Sequence, residues 1–157
     1  MKSRLIASFA VGVAVALGAT GCNMIAPQAT TIPYSPSDGV SVPASGPLKV
    51  RNALIVADEN GQNGNLLAAI VNDTDDEHTL NIAFNGKTKT ISVDARSIVS
   101  LGTEGERPLL LSGLDSKPGT DLPVTFQSGD GTPVEFAVPV VDGALSYYAE
   151  FVPGSRN

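Results

Sequence analysis

Residues 80–93 have the sequence LNIAFNGKTKTISV, and this stretch decides the fold class. Apolar residues alternate with polar or small ones on both sides of Asn85-Gly86, which is the pattern of strands with one buried face. The Asn-Gly dipeptide favours the left-handed backbone of a two-residue hairpin turn. The stretch therefore predicts a β-hairpin and, with it, an antiparallel sheet.

Short apolar runs of the same kind recur on both sides of this hairpin. Turn-forming segments separate them at intervals of about 8 to 14 residues, and residues 47–143 contain no amphipathic pattern long enough for a ten-residue helix. This spacing predicts an all-β fold: an immunoglobulin-like antiparallel β-sandwich of seven to eight short strands. The further runs are residues 48–56, 66–71, 98–101, 109–111, 124–126 and 134–140.

Four segments allow more detailed predictions. Asn52 interrupts the alternation of residues 48–56, which indicates either one polar position or a β-bulge. Residues 66–71 are apolar on both faces, so we expect a central strand covered on both sides. Residues 109–111 fit a strand or one helical turn. Residues 144–153 are expected to form a short helix or an extended arm whose aromatic side chains cover an open edge or end of the sheet.

The N-terminus has the three parts of a secretory signal. Lys2 and Arg4 are followed by 13 uncharged, mostly apolar residues and then by small residues up to Cys22. The apolar part is shorter than the roughly 20 residues that span a bilayer. We predict that residues 1–21 are a lipoprotein signal peptide and that Cys22, the single cysteine, is the lipid-bearing first residue of the mature chain. An ordinary signal cleaved at another bond and an uncleaved anchor are the alternatives.

The residues before the cysteine resemble the bacterial lipobox, Leu-(Ala/Ser/Thr)-(Gly/Ala)-Cys. Thr20, Gly21 and Cys22 match it, and Ala19 replaces the usual leucine. The resemblance implies a diacylglyceryl cysteine, whose two acyl chains suffice for stable anchoring at about 0.8 kcal/mol per buried CH₂. The expected location is the extracytoplasmic face of the cell membrane.

The charge of the mature chain limits its partners. Lys2 and Arg4 leave with the signal, so the net charge of −6 becomes −8. Such an acidic chain repels nucleic acid and anionic lipid surfaces, so we expect no nucleic-acid binding and a membrane link through the Cys22 lipid alone. Because there is one cysteine, no disulfide forms within the chain.

Between the anchor and the domain lies a proline-rich segment. Residues 22–46 contain four prolines, many Ser, Thr and Ala residues and no apolar periodicity, which predicts a disordered tether. As a flexible coil it spans about 28 Å, and as an extended polyproline helix about 78 Å. Residues 34–40 are less linker-like and are the expected first contact with the domain, which we assign to residues 47–157.

The sequence offers little for catalysis or transition-metal binding. The one histidine, His78, follows Glu77 in a polar turn, and no Gly-x-Ser-x-Gly motif is present. The mature chain contains only Met24 and His78 as soft or imidazole ligands besides the lipidated cysteine, so a copper or zinc site of the usual kind is not expected. We predict a protein without catalytic activity and without a cofactor.

Two groups of residues are candidate sites of another kind. Asp73, Asp75, Asp76 and Glu77 form the densest group of carboxylates, as calcium sites require, but the loop lacks the glycine of the usual calcium turn. A solvated loop is the main interpretation and calcium the alternative. Tyr147 and Tyr148 are candidate contact residues, since exposed tyrosines are enriched at interfaces. A place in the core or over a sheet edge is the other interpretation.

The layout resembles a group of small actinobacterial envelope lipoproteins of unassigned function. The signal with Cys22, the ending Val140-Val141-Asp142-Gly143 with Tyr148 and Pro153, and the segments Tyr34–Gly39 and Ile70–Asp75 carry this resemblance. The group is similar in layout to a copper-regulated mycobacterial lipoprotein and, more distantly, to periplasmic copper chaperones. This chain lacks the Met and His ligands of the chaperones, so the resemblance implies neither an enzyme nor a cofactor.

Two functional hypotheses follow. The first is a lipid-anchored, non-catalytic envelope protein that acts through contact with another envelope protein or as a structural module. The alternative is a solute- or metal-binding module, with calcium at the loop of residues 73–77.

Overall fold

The structure, a computed structural model, describes residues 37–103 and 105–154 together with Val11. The predicted lipidation site Cys22, the predicted signal peptide except Val11, and the predicted tether before residue 37 therefore lie outside the described residues. Within the described part of the chain, no helix has the length and apolar character needed to cross a membrane.

Eight strands and one short helix make up the domain, which confirms the predicted all-β class and strand number. Residues 109–111 belong to a strand, and the C-terminal tail contains the short helix. The elements are β1 (Leu48–Ala57), β2 (Asn63–Asn72), β3 (His78–Phe84), β4 (Lys87–Val93), β5 (Ile98–Leu101), β6 (Leu109–Ser112), β7 (Thr120–Ser128), β8 (Val134–Val141) and α1 (Ser146–Ala149).

The strands form one sheet in the order β4-β3-β7-β8-β1-β2-β5. β5 pairs with residues 68–71 of β2 and β6 with residues 63–66, so both occupy the same edge of β2. Neighbouring strands are antiparallel except β1 and β8, which pair in parallel at residues 55–56 and 140–141. Lys87 of β4 donates a 2.6 Å hydrogen bond to the Ser112 carbonyl oxygen of β6, so the sheet nearly closes into a barrel.

The predicted hairpin joins β3 and β4. Asn85 and Gly86 have φ angles of 44° and 71°, as a turn with two left-handed residues requires. The inward side chains of these strands join those of β1, β2, β7 and β8 in one continuous core. At Gly64 of β2 an added Cβ would lie 2.5 Å from Cγ2 of Ile55, so any larger residue would force core side chains to shift.

The interruption at Asn52 is a β-bulge. The register between β1 and β2 shifts between Arg51 and Leu54, and Asn52 has a φ of 51°. The extra residue changes which side chains face inward. Residues 48 and 50 face the core before the bulge, and residues 53, 55 and 57 face it afterwards. Leu54 consequently points to the opposite face of the sheet.

The outer face of β1 carries a second apolar cluster. Leu54 and Val56 are buried there by Tyr148, and Phe151 and Val152 pack beside them. The strand covered on both faces is therefore the second half of β1, whereas residues 66–71 of β2, predicted to be so covered, alternate between buried and half-buried positions. The aromatic tail covers a sheet face and not the edge or end expected from the sequence.

Residues 37–46, the N-terminal segment, pack against the domain. Val40 and Ala53 exchange two backbone hydrogen bonds of 2.9 and 2.8 Å, and Val42 donates a third, 3.0 Å long, to Val50. Further along, Ser45 is buried and accepts a hydrogen bond from Ser128 of β7. The segment thus occupies the edge of the first half of β1, where β8 does not reach. These ten residues, which the sequence assigns to the tether, are part of the packed structure.

Candidate functional site

A groove lies where the two ends of the described domain meet, beside α1. Its volume is about 480 Å³. Apolar side chains and two carboxylates share its lining, so it offers both dispersion contacts and negative charge. The lining residues are Asp38, Pro118, Gly119, Val140, Val141, Asp142, Leu145 and Tyr148. We call this feature the Tyr148 groove.

Tyr148 connects the two ends of the domain across this groove. Its ring is buried over the outer face of β1, and its hydroxyl donates a 2.8 Å hydrogen bond to the Asp38 carboxylate. Burial, together with the hydrogen bond and the negative charge of Asp38, raises the pKa of the Tyr148 phenol to about 12. The side chain therefore stays protonated and holds the carboxylate of Asp38 at the rim.

The bulge at Asn52 fixes the other side of Asp38. The Asn52 side-chain oxygen accepts a 3.1 Å hydrogen bond from the Gly39 backbone N–H, and it also contacts the Ser37 hydroxyl. Gly39 has no side chain, and an added Cβ would lie 2.5 Å from the same Asn52 oxygen. The close approach of these backbones explains why glycine follows Asp38.

Tyr147 of α1 and Leu145, which immediately precedes α1, are both exposed beside the Tyr148 groove. They are 55% and 51% exposed, although both are large and apolar. The Tyr147 ring meets the Tyr148 ring edge to face with centroids 4.5 Å apart, and its hydroxyl lies 3.5 Å from Asp38. Of the two tyrosines singled out in the sequence, Tyr148 is thus fixed in a cluster and Tyr147 is presented to solvent.

The surroundings of the groove are acidic. Asp142 lines both the Tyr148 groove and an adjoining hollow of about 360 Å³, where Glu59 is a second carboxylate. The Asp142 side chain accepts a 3.0 Å hydrogen bond from the Ala144 backbone N–H, which holds it in a tight turn. Among the described residues that line the two cavities there is no Lys or Arg. A cation that enters this region therefore meets carboxylates but no positively charged side chain among these lining residues.

The acidic loop of residues 73–77 is engaged with basic side chains. Asp73 lies 2.5 Å from the Lys49 ammonium and Asp75 2.8 Å from the Arg96 guanidinium. The hydrogen bond and the charge of Lys49 lower the pKa of Asp73. Over residues 37–103 and 105–154, no three His, Cys, Asp or Glu side chains converge as a metal site would need, the loop carboxylates Asp76 and Glu77 included.

Asn72 gives the acidic loop its shape. The side chain is 1% exposed and donates hydrogen bonds of 2.8–3.0 Å to the carbonyl oxygens of Asp76, Val93 and Asp94. Its own oxygen accepts hydrogen bonds from the N–H and hydroxyl of Thr74. Residues 70–75, which carry part of the family resemblance, therefore have a structural role: the Asn72 side chain links the end of β2 to the loop before β3 and to the end of β4.

His78 is half-buried at the start of β3. It lines a hollow of about 430 Å³ together with Glu77 and Asp130. The sequence placed His78 beside Glu77 but did not bring in Asp130, because the turn after β7 reaches this place only through the pairing of β3 with β7. Asp38 was missed for the same reason, since its partner Tyr148 lies 110 residues away.

No protein-family model matches this chain, and no curated protein matches it. Among solved structures, the copper-bound PCuAC domain from PmoF2 has a TM-score of 0.50 at 16% identity, covering 64% of this chain and 97% of that chain. The apo PmoF2 domain has a TM-score of 0.52 at 15% identity, with 67% and 97% covered. The apo PCuAC domain from PmoF1 has 0.52 at 16%, with 64% and 98% covered. The domain is thus similar in fold to PCuAC domains, consistent with the expected similarity in layout to copper chaperones.

Proposed function

We propose that this protein is a lipid-anchored, non-catalytic envelope protein that acts by binding another envelope protein. The observation that carries the proposal is the exposed pair Leu145 and Tyr147 beside the Tyr148 groove. Exposed tyrosines next to a pocket are typical of interface centres, because the ring supplies a large contact area at a small entropy cost. A rigid support makes such a site stronger, and Tyr148 supplies one by holding α1 on β1.

The anchor part of the proposal rests on the signal pattern of residues 1–21 and on Cys22. With the lipid on Cys22, 16 residue steps lead to Asp38 at the groove rim. At no more than about 3.6 Å per residue, the rim lies within about 58 Å of the acylated residue. A partner at the Tyr148 groove would therefore be a membrane protein or another protein held close to the membrane.

Native mass spectrometry after gentle extraction from the producing envelope tests both parts together. We expect a diacylglyceryl mass on Cys22 and a retained partner protein. Tyr147→Ala should remove the partner, whereas Ile98→Ala, which truncates a side chain of similar exposure on β5, should retain it. An unmodified cysteine would contradict the anchor, and a partner held equally by both variants would contradict the assignment of the contact surface.

A metal-binding module is the second candidate function. The observation that favours it is the likeness in fold to a copper-bound domain. Copper(I) competition against a chromogenic chelator tests this candidate, with His78→Ala as the variant that removes the one histidine. Stoichiometric copper lost in the variant would favour a metal module over a protein-contact module.

Calcium at the acidic loop is tested separately. A rise in melting temperature with millimolar calcium, lost in Asp75→Asn/Asp76→Asn, would support it. The absence of a shift would remove calcium from consideration, because a specific ion that binds only the folded state must stabilise it.

A further inference from the structure

We propose that the Tyr148 groove accepts an arginine or lysine side chain from the partner. This inference deepens the function proposed above and rests on it. The groove combines an apolar wall with carboxylates, and a basic side chain has the matching division into an aliphatic stem and a charged end. Its occupant would be an exposed, extended segment of a protein with a basic residue at its centre.

The placement of the carboxylates supports a cationic occupant. Asp38 and Asp142 both line the groove, one from the N-terminal segment and one from the turn after β8. Tyr148 and the Asn52–Gly39 contact hold Asp38, and the Ala144 N–H holds Asp142. Both carboxylates are therefore fixed before a ligand arrives, so less ordering entropy is lost on binding.

The neighbouring side chains extend this complementarity. Val140, Val141 and Leu145 provide apolar contact for a methylene stem. The exposed Tyr147 ring lies against Tyr148 beside the groove, and an aromatic ring attracts a guanidinium or ammonium group. Glu59 in the adjoining hollow adds a third negative charge that favours the approach of a basic segment.

An arginine is the better fit of the two side chains. Its planar guanidinium forms bidentate hydrogen bonds with a carboxylate and stacks on aromatic rings, whereas a lysine ammonium is a compact and more strongly hydrated charge. A groove with two carboxylates and an adjacent aromatic ring uses both properties of the guanidinium.

The test uses the full processed chain in detergent and a pair of small probes. N-acetyl-arginine amide carries the charge, and N-acetyl-citrulline amide is its uncharged isostere. Backbone amide NMR shifts are followed as each probe is added. We expect the arginine probe to shift the amide signals of Gly119, Val141 and Leu145, with saturation at millimolar probe concentrations. The binding should weaken as the salt concentration rises, because the interaction is between charges. The citrulline probe should give no shifts.

Variants that replace two aspartates by asparagines distinguish binding at the groove from attraction to the overall negative charge of the chain. Asp38→Asn/Asp142→Asn keeps a side-chain oxygen acceptor at each position and should raise the dissociation constant of the arginine probe about tenfold. Asp94→Asn/Asp130→Asn changes the net charge equally at exposed sites that do not line the groove and should leave binding unchanged. Equal binding of both probes, shifts centred on residues 73–77, or equal weakening in both double variants would overturn the inference.

The same variants distinguish failure of this inference from failure of the proposed function. If native mass spectrometry shows that Asp38→Asn/Asp142→Asn keeps the partner and Tyr147→Ala loses it, the proposed contact function is supported. The inference that a basic side chain of the partner occupies the groove would then be wrong. If both variants lose the partner while Ile98→Ala keeps it, both proposals are supported.

Discussion

Asn72→Asp is the substitution for which the structure predicts the largest effect from the smallest change in shape. The asparagine amide has two hydrogens and directs them at three carbonyl oxygens, at distances of 2.8, 3.0 and 3.0 Å. Aspartate has nearly the same volume and keeps the acceptor for Thr74, but it donates no hydrogen bond when ionised. It also places a negative charge beside three carbonyl oxygens at a 1% exposed site.

The magnitude follows from the two donors lost. Leaving a buried polar partner without its hydrogen bond costs about 1–3 kcal/mol, so two lost donors predict a loss of about 4 kcal/mol in the free energy of unfolding. For a domain of this size that corresponds to a fall of about 15 °C in melting temperature. The assay is urea and thermal unfolding followed by far-ultraviolet circular dichroism.

The pH dependence of this variant gives an independent check on the cause. Burial beside carbonyl oxygens raises the folded-state pKa of the new carboxyl above its unfolded value of about 3.9. The variant therefore loses stability as the pH rises from the unfolded pKa through the folded pKa, and the gap to the parent narrows on acidification.

Asn81→Asp is the matched control for Asn72→Asp. The Asn81 side chain is half-buried, and its oxygen accepts a hydrogen bond from the Thr90 hydroxyl, which aspartate can also accept. We expect a change within about 0.5 kcal/mol. A loss below about 1 kcal/mol in Asn72→Asp, or equal losses in the two variants, would refute the role assigned to the Asn72 amide.

Three further predictions concern the core, the groove and the bulge. Gly64→Ala should lose about 2 kcal/mol in urea unfolding, since the new Cβ meets a core side chain at 2.5 Å, and Gly86→Ala, which meets nothing within 4 Å, about 1 kcal/mol from backbone strain. Tyr148→Phe should abolish the tyrosine titration near pH 12 in ultraviolet absorbance. Because the folded pKa exceeds the unfolded value of about 10, the stability difference between Tyr148→Phe and the parent is constant below pH 10 and shrinks as the pH rises towards 12. A late titration that persists unchanged in the variant would contradict the assignment of the raised pKa to the buried Tyr148 phenol. Asn52→Gly keeps the positive φ but removes the acceptor for the Gly39 N–H, so thermal unfolding should show a loss of about 1 kcal/mol in the free energy of unfolding.

Features coded by neighbouring residues could be predicted from the sequence. The Asn85-Gly86 turn needs left-handed backbone at both positions, and those two residue types tolerate it best. The interruption at Asn52 likewise indicated a bulge as one of two interpretations. The strand count followed because each strand has its own alternation and its own turn.

Features that depend on distant contacts could not be predicted. Residues 37–46 have the composition of a tether, yet backbone hydrogen bonds to β1 and β7 fix them, and such bonds leave no mark in composition. Leu54 and Val56 face the opposite side of the sheet from Leu48, and this could not be predicted because the effect of a bulge on side-chain direction depends on its exact type. The Tyr148 groove brings Asp38, Asp142 and Tyr148 together from both ends of the domain, so only Tyr148 was visible beforehand as a candidate.

Site-specific photocrosslinking in intact cells tests the central proposal most directly. A benzophenone amino acid replaces Tyr147 in one strain and Ile98 in a second, since both side chains are more than half exposed but lie on different elements. We expect one light-dependent adduct to a membrane-associated protein from position 147, on a chain that carries lipid at Cys22, and none of that mass from position 98. The same adducts from both positions, or none from position 147, would contradict the central proposal.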